Sequence, residues 1–313
     1  LSPFPVLIFF FDDGEDIDIY SWISELASAG YFVAIAPDEW DNGEHETLVS
    51  DISVLIAALA EININGTEDG SGPANMVGAF DIEHWGVSGH GTGGMDAALV
   101  YAMWENHATH LDIEPPRSMF AQGIDSSDVD INVLKDAEPA APSLALFLTG
   151  TADQIAPASD HLDKVVEVWP GGWHRMSPLG ANHIQYQDEQ GILESLQDGS
   201  GNMDEEEQQV HAYSHLLSYL DLILKGDHSS WYGATNRDID SESISDEDAY
   251  VDEDLNNSMM LKVVSTSSPT EEIELNQTLE LMMNVSHRNG SLIGVGVYGA
   301  WCLHWNGSLI PGV

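Results

Sequence analysis

Three stretches of the chain carry residue types suited to nucleophilic catalysis, in an order that matters. The segment 86-GVSGHGTGG-94 has the spacing of a G-x-S-x-G turn, the sharp strand-to-helix bend that presents a serine at its apex. The frame falls on Gly89, His90, Gly91, Thr92 and Gly93, so glycine stands where the serine would be. Gly89 and Gly93 meet the need for close backbone approach, and Gly94 eases helix packing. Farther along, 149-TGTADQIAP-157 offers Asp153 and 180-GANHIQYQD-188 offers His183. An acid that orients an imidazole, and an imidazole that takes a proton, are the two partners a hydroxyl nucleophile requires.

These residues need elements to hold them. The run 5-PVLIFFF-11 predicts a buried strand, followed by the polar turn 12-DDGEDID-18. Helical spacing over 19–30 ends on Gly30, and 31-YFVAIAP-37 predicts the next strand, stopped by Pro37. A long amphipathic helix is predicted over 44–63, a strand over 84–88 and a helix over 92–106. Further strands are predicted at 117–123 and 143–150. A closing helix over 204–227 has acids in its first turn and Lys225 near its end. Strands alternating with helices predict an α/β domain over 1–227, with a mostly parallel sheet covered on both faces. Residues 228–257 read as an acidic linker. Residues 258–313 alternate and are broken by turn residues, so they predict a small β domain, sandwich-like and incomplete in extent.

The segments PVLIFFFDDG, SELASAGYFVAIAP, VSGHGTGG, LTGTADQIAP, GANH and LSYLDLILKGD together resemble the dienelactone-hydrolase and cutinase-like polyester-hydrolase branch of the α/β hydrolases. That branch reads V-x-G-H-S-x-G-G, G-x-x-D-x-x-x-P and G-A-x-H at three of these places, and the last two match in full. The resemblance covers residues 5–227, 223 of 313. It implies an α/β-hydrolase fold and carboxylic-ester hydrolysis, of a small or polymeric ester, without a cofactor or metal. It places Asp153 as the acid, His183 as the base and Gly91 at the nucleophile position. The oxyanion donors would be the N–H of Thr92 and one from the turn after the first strand, Glu15 or Asp16. That turn departs from the family in carrying Asp12, Asp13 and Gly14, and carboxylates beside a forming oxyanion oppose its stabilisation.

No other residue readily replaces the serine. Ser88 lies three positions upstream on a strand and is expected to bond to backbone. Thr92 is the first helical residue after the apex, and its side chain is expected to point away from His183. Water activated by Asp153 and His183 is a third route, with only residual catalysis. His90 is either a pocket-mouth residue or a satisfied histidine of the bend. Trp40 is a candidate pocket wall. His107 and His110 are three apart at a helix end with no third ligand near in sequence, so both are expected to be surface residues without a metal. His174 is expected to be structural.

The charge sets the surroundings. Acidic residues number 53 against 8 basic, a net charge of −45. Such a surface repels phosphate backbones and anionic membranes, which excludes nucleic acid as a partner, and it gathers cations. It suits a solvated coat in a salty medium. The segment 238-DIDSESISDEDAYVDED-254 is acidic enough to attract calcium but lacks the D-x-D-x-D-G register of an EF-hand loop. Cation or surface association through the linker and β domain is the partner reading here. No apolar run approaches the roughly 18 residues that predict a bilayer span. Cys302 is alone, so no intrachain disulfide is expected. The sequons at Asn65, Asn256, Asn276, Asn284, Asn289 and Asn306 favour an extracellular or cell-surface protein. The absence of Met and of a signal-peptide pattern at the start is expected of a fragment or a processed precursor.

Three functional readings stand open. The first is a serine-hydrolase homologue impaired by Gly91, retaining the pocket for binding. The second is a working ester hydrolase, by an unconventional route or as a variant of an active parent. The third is a surface-interaction protein that works through the β domain.

Overall fold

The computed structural model describes residues 3–12, 20–36, 45–66, 76–110, 113–137, 145–188, 198, 201–227, 249–254, 260–265, 282–286, 292–294, 304–305 and 308–309. The expected contributors Glu15, Asp16 and Trp40 lie outside these residues, as does Cys302.

Seven strands form the main sheet: β1 (Phe4–Phe10), β2 (Phe32–Ile35), β3 (Phe80–His90), β4 (Ser118–Gln122), β5 (Ala145–Leu148), β6 (Trp173–Pro178) and β7 (Ala249–Asp254). Their order is β2-β1-β3-β4-β5-β6-β7, and all pairings are parallel except β6 with β7. Among the described residues five α-helices of more than one turn accompany them: α1 (Ile23–Ser28), α2 (His45–Asn65), α3 (Gly91–His107), α4 (Leu162–Val168) and α5 (Glu205–Leu224). The predicted α/β architecture is therefore present. The strand alternation of β1 shows why both faces are covered. Val6, Ile8 and Phe10 enter the core shared with α2, α3 and α4, while Leu7 and Phe9 enter the core shared with α1 and α5. Each such side chain buried fully contributes roughly 1.5–3 kcal/mol.

The chain moves outward from β1 to β2, then returns past β1 to β3 and continues the other way. The order thus reverses between β1 and β3, and open α/β sheets place their sites in the crevice at such a reversal. The segments leaving β1 and β3 are those that carry Asp12 and Gly91.

Three elements lay outside the sequence expectations. The polar strand β6 and the short helix α4 have weak local patterns, and their burial comes from the sheet around them. Within the stretch read as a linker, residues 249–254 form β7, paired with β6 from Trp173↔Asp254 to Pro178↔Ala249. An acidic strand is compatible with a sheet edge, where charge discourages further pairing. Beyond it, β8 (Met260–Ser265), β9 (Met282–Ser286) and β10 (Leu292–Gly294) form an antiparallel sheet, and β11 (His304–Trp305) pairs with β12 (Ser308–Leu309).

One helix among the described residues, α2, is long and apolar enough by length and composition to cross a membrane. Its Val49, Ile52 and Ile56 are fully buried in the core against the sheet.

Candidate functional site

The bend after β3 forms where the glycines require it. His90 ends β3 in an extended conformation, φ −120° and ψ 146°, and α3 begins at the next residue. Gly91 joins them at φ +58°, the left-handed region that side chains rarely adopt. A methyl on Gly89 would overlap the backbone of Gly93, and one on Gly93 would overlap Phe10 and Phe11. The tight approach expected at Gly89 and Gly93 is thus present.

Asp153 and His183 meet. The loop after β5 carries Asp153 and the loop after β6 carries His183, with Asp153 Oδ2 3.0 Å from His183 Nδ1. The other Asp153 oxygen accepts from Ala156 N at 2.7 Å. Loop 180–187 is anchored to α5, since Gln208 accepts from Asn182 N at 3.0 Å and donates to Asn182 O at 2.7 Å. Gly123 gives the imidazole room, because a side chain there would press on both His183 and His90.

The space that a serine would fill is taken by Asp12. A methyl on Gly91 would overlap the Asp12 carboxylate. Asp12 Oδ1 accepts from Thr92 N at 2.8 Å and from Thr92 Oγ1 at 2.9 Å, while Oδ2 lies 3.2 Å from His183 Nε2. The N–H expected to stabilise an oxyanion therefore donates to a resident carboxylate. Thr92's hydroxyl donates to Asp12 Oδ1, while His183 faces the other oxygen, Oδ2.

The electrostatics follow from this sandwich. Burial opposes a charged imidazole, but hydrogen bonds to Asp12 and Asp153 outweigh it and raise the His183 pKa to about 10. Burial also opposes an ionised Asp12; His183 and the neighbouring donors overcome it and hold the carboxyl well below the usual range. A carboxylate oxygen faces each ring nitrogen, so protonated His183 donates from both. The result is a carboxylate–imidazolium–carboxylate triplet. A base that already carries its proton at neutral pH cannot take one from a nucleophile.

His90 lies beneath the triplet, fully buried. Its Nε2 is 3.2 Å from the His183 carbonyl oxygen, which can only accept, so Nε2 carries the proton. Nδ1 then accepts from Tyr20 Oη at 2.9 Å. Burial, with the His183 charge next, pushes its pKa down to about 3, so the ring stays neutral. His90 is a satisfied histidine of the bend. One ligand atom each from Asp12, His90 and His183 lies within 4.8 Å of the others. In the structure the hydrogen bonds above engage the ring nitrogens of both histidines.

Two residues that sequence reasoning did not assign to the site help to build it. Asp12 sits in the turn that had been noted only as unfavourable. Asp198 is fully buried and accepts from Gln154 N at 2.9 Å, His183 N at 2.7 Å and Ile184 N at 3.0 Å. It ties the acid loop to the histidine loop. Replacing Asp198 with Ala leaves three inward-facing N–H groups without their acceptor. The expected loss is about 3 kcal/mol of stability, read as a lower denaturation midpoint in urea. An unchanged midpoint would remove Asp198 from this role.

Ser88 is fully buried, and its hydroxyl has no hydrogen-bond partner among the described residues, contrary to the expected backbone bond. The strand's own backbone groups are engaged in ladders on both sides, with β1 and β4. His174 is buried on β6, away from the triplet. No family model and no curated protein matches the chain.

Proposed function

We propose that this chain is an α/β-hydrolase-fold homologue of carboxylic-ester hydrolases, with a small C-terminal β domain, whose serine-esterase chemistry is closed in the native state. The observation that carries this reading is the Asp12 carboxylate bonded to both Thr92 N and His183 Nε2. A carboxylate so placed imitates the acid product of ester hydrolysis, held by an oxyanion donor and a protonated base. The site keeps the acid, the histidine and the bend of a hydrolase while a fixed internal group holds the place of the acyl oxygen. Its role is then binding or accessory, at an acidic, exported protein surface.

The test is turnover of a short-chain nitrophenyl ester in high salt by the native protein and by His183→Gln. Equal rates are expected, both at the level of folded protein without a nucleophile. A native rate well above the variant's would reject the closed reading.

A second reading has its own support. The Asp12 side chain keeps 22% of its surface accessible, while those of His183 and Asp153 keep 2% and 0%. Asp12 Oδ2 is then a nucleophile that attacks an ester carbonyl, forming a mixed anhydride as the alkoxide leaves with the His183 proton. Neutral His183 next activates water to cleave the anhydride and recovers the proton. Turnover lost in both Asp12→Asn and His183→Gln would favour this route.

A further inference from the structure

Away from this site, the fold brings together three residues that the sequence leaves apart. His45 and Glu46 are the first two residues of α2, and His107 is the last residue of α3. One ligand atom from each lies within 4.8 Å of the other two. The two imidazoles face each other edge to face, with centroids 5.7 Å apart and planes at 75°. We propose that His45, Glu46 and His107 form a binding site for a divalent transition metal of the zinc class, clipping the start of α2 to the end of α3.

The donor set selects the metal. Two imidazole nitrogens and one carboxylate oxygen suit zinc, nickel, cobalt or copper, whereas calcium and magnesium take all-oxygen sets. A tetrahedral zinc with bonds of about 2.0–2.1 Å needs its ligand atoms about 3.3–3.5 Å apart. Ligand atoms already within 4.8 Å of one another need side-chain shifts of at most roughly 1.5 Å to reach that spacing. Glu46 is exposed and the histidines are half-buried, so a metal and a water ligand can reach the fourth position from solvent.

The scaffold holds the two helix ends in place. Leu48, Val49 and Ile52 of α2 share a core with Leu99, Val100 and Met103 of α3. Just past α3, Thr109 N donates to Ser53 Oγ at 3.1 Å, and the two hydroxyls lie 2.9 Å apart. The ring nitrogens of His45 and His107 have no hydrogen-bond partner among the described residues. In this they differ from His90 and His183, whose nitrogens are engaged. The sequence pairing of His107 with His110 is replaced by a spatial pairing with His45. The net charge of −45 raises the local concentration of every cation without choosing among them.

The experiment is a zinc titration of the full chain by calorimetry, in high sodium chloride with excess magnesium to saturate the acidic coat. The native protein is compared with His45→Gln, Glu46→Gln, His107→Gln, the control His110→Gln, and His90→Gln. One equivalent of zinc is expected to bind the native protein. His45→Gln and His107→Gln should each weaken binding by ~10–100-fold or more, since even outer-shell changes cost that much. His110→Gln and His90→Gln should leave it unchanged. Zinc should also raise the Tm of the native protein but not of the His45→Gln/His107→Gln double variant. Cobalt substitution should give a visible absorption band that the double variant lacks. Undiminished zinc affinity in the double variant, loss of affinity in His90→Gln, or no saturable binding to the native protein would each overturn the proposal.

Discussion

The variant Asp12→Gly/Gly91→Ser is expected to gain His183-dependent esterase turnover that Gly91→Ser alone does not show. The two positions compete for one space. A side chain at residue 91 collides with the Asp12 carboxylate, and Gly91 already has the left-handed φ of +58° that the apex of the bend requires. Adding serine by itself must therefore displace Asp12 or distort the bend, and His183 stays protonated while the carboxylate is near. Removing Asp12 has three effects together. It vacates the space for a serine hydroxyl, frees Thr92 N to stabilise an oxyanion, and leaves His183 with Asp153 as its single carboxylate partner. Members of a catalytic triad act as a unit, and losing one costs several orders of magnitude. The expected gain over Gly91→Ser is ~10³-fold or more in the initial rate on a short-chain nitrophenyl ester. The gain should vanish when His183→Gln is added. Equal rates for Gly91→Ser and the double variant would mean that Asp12 moves aside freely and does not close the site.

Breaking the triplet from the centre should be the most destabilising single change at the site. His183→Gln leaves Asp12 and Asp153 on either side of the vacated ring without the cation between them. Removing one partner of a buried ion pair costs about 3–5 kcal/mol, most of it from the stranded charge. Adding Asp12→Asn to His183→Gln should recover part of that loss, because one stranded charge is then neutral. The same triplet predicts a pH dependence with a definite sign. His183 has its pKa raised from 6.5 to about 10, so its contribution is fully present below pH 6.5 and is lost as pH rises through about 10. Asp12 is depressed from 3.8, so its contribution is present above that value and is lost only as pH falls through its lower folded value. Urea midpoints of the native protein should therefore fall between pH 6.5 and about 10, and the difference from His183→Gln should shrink across that window. A difference that stays constant would show that His183 is not held protonated.

The legible parts of this protein share a cause. Apolar runs such as 5-PVLIFFF-11, the helical spacing over 44–63 and the glycines around residue 91 are local patterns, and local patterns encode elements and bends directly. The order of bend, Asp153 and His183 was legible through the motifs around them, 86–94, 149–157 and 180–183, although the strand β6 before His183 was not. The structure brings Asp153 and His183 into contact accordingly.

What the sequence could not resolve depends on distance along the chain. Asp12 and Thr92 are 80 residues apart, and no spacing rule says that one fills the space beside the other. The acidic turn was legible as an obstacle to an oxyanion. That the obstacle would be a carboxylate seated on the histidine required β1 and β3 to lie side by side. Asp198 presented only as one acid among 53, and its burial beneath two loops sets it apart. His107 read as a helix-end histidine until the packing of α2 against α3 brought His45 and Glu46 to it. Strand β7 shows the same limit in the backbone, since an acidic stretch joins the sheet when β6 offers an open edge. Sequence by itself determined the apolar strands and long helices, the bend and the acid–histidine order, because these follow from neighbours in the chain. Tertiary structure alone decided the placing of His183 between two carboxylates, the filling of the space beside Gly91 by Asp12 and the meeting of helix ends, because charge and excluded volume act through space.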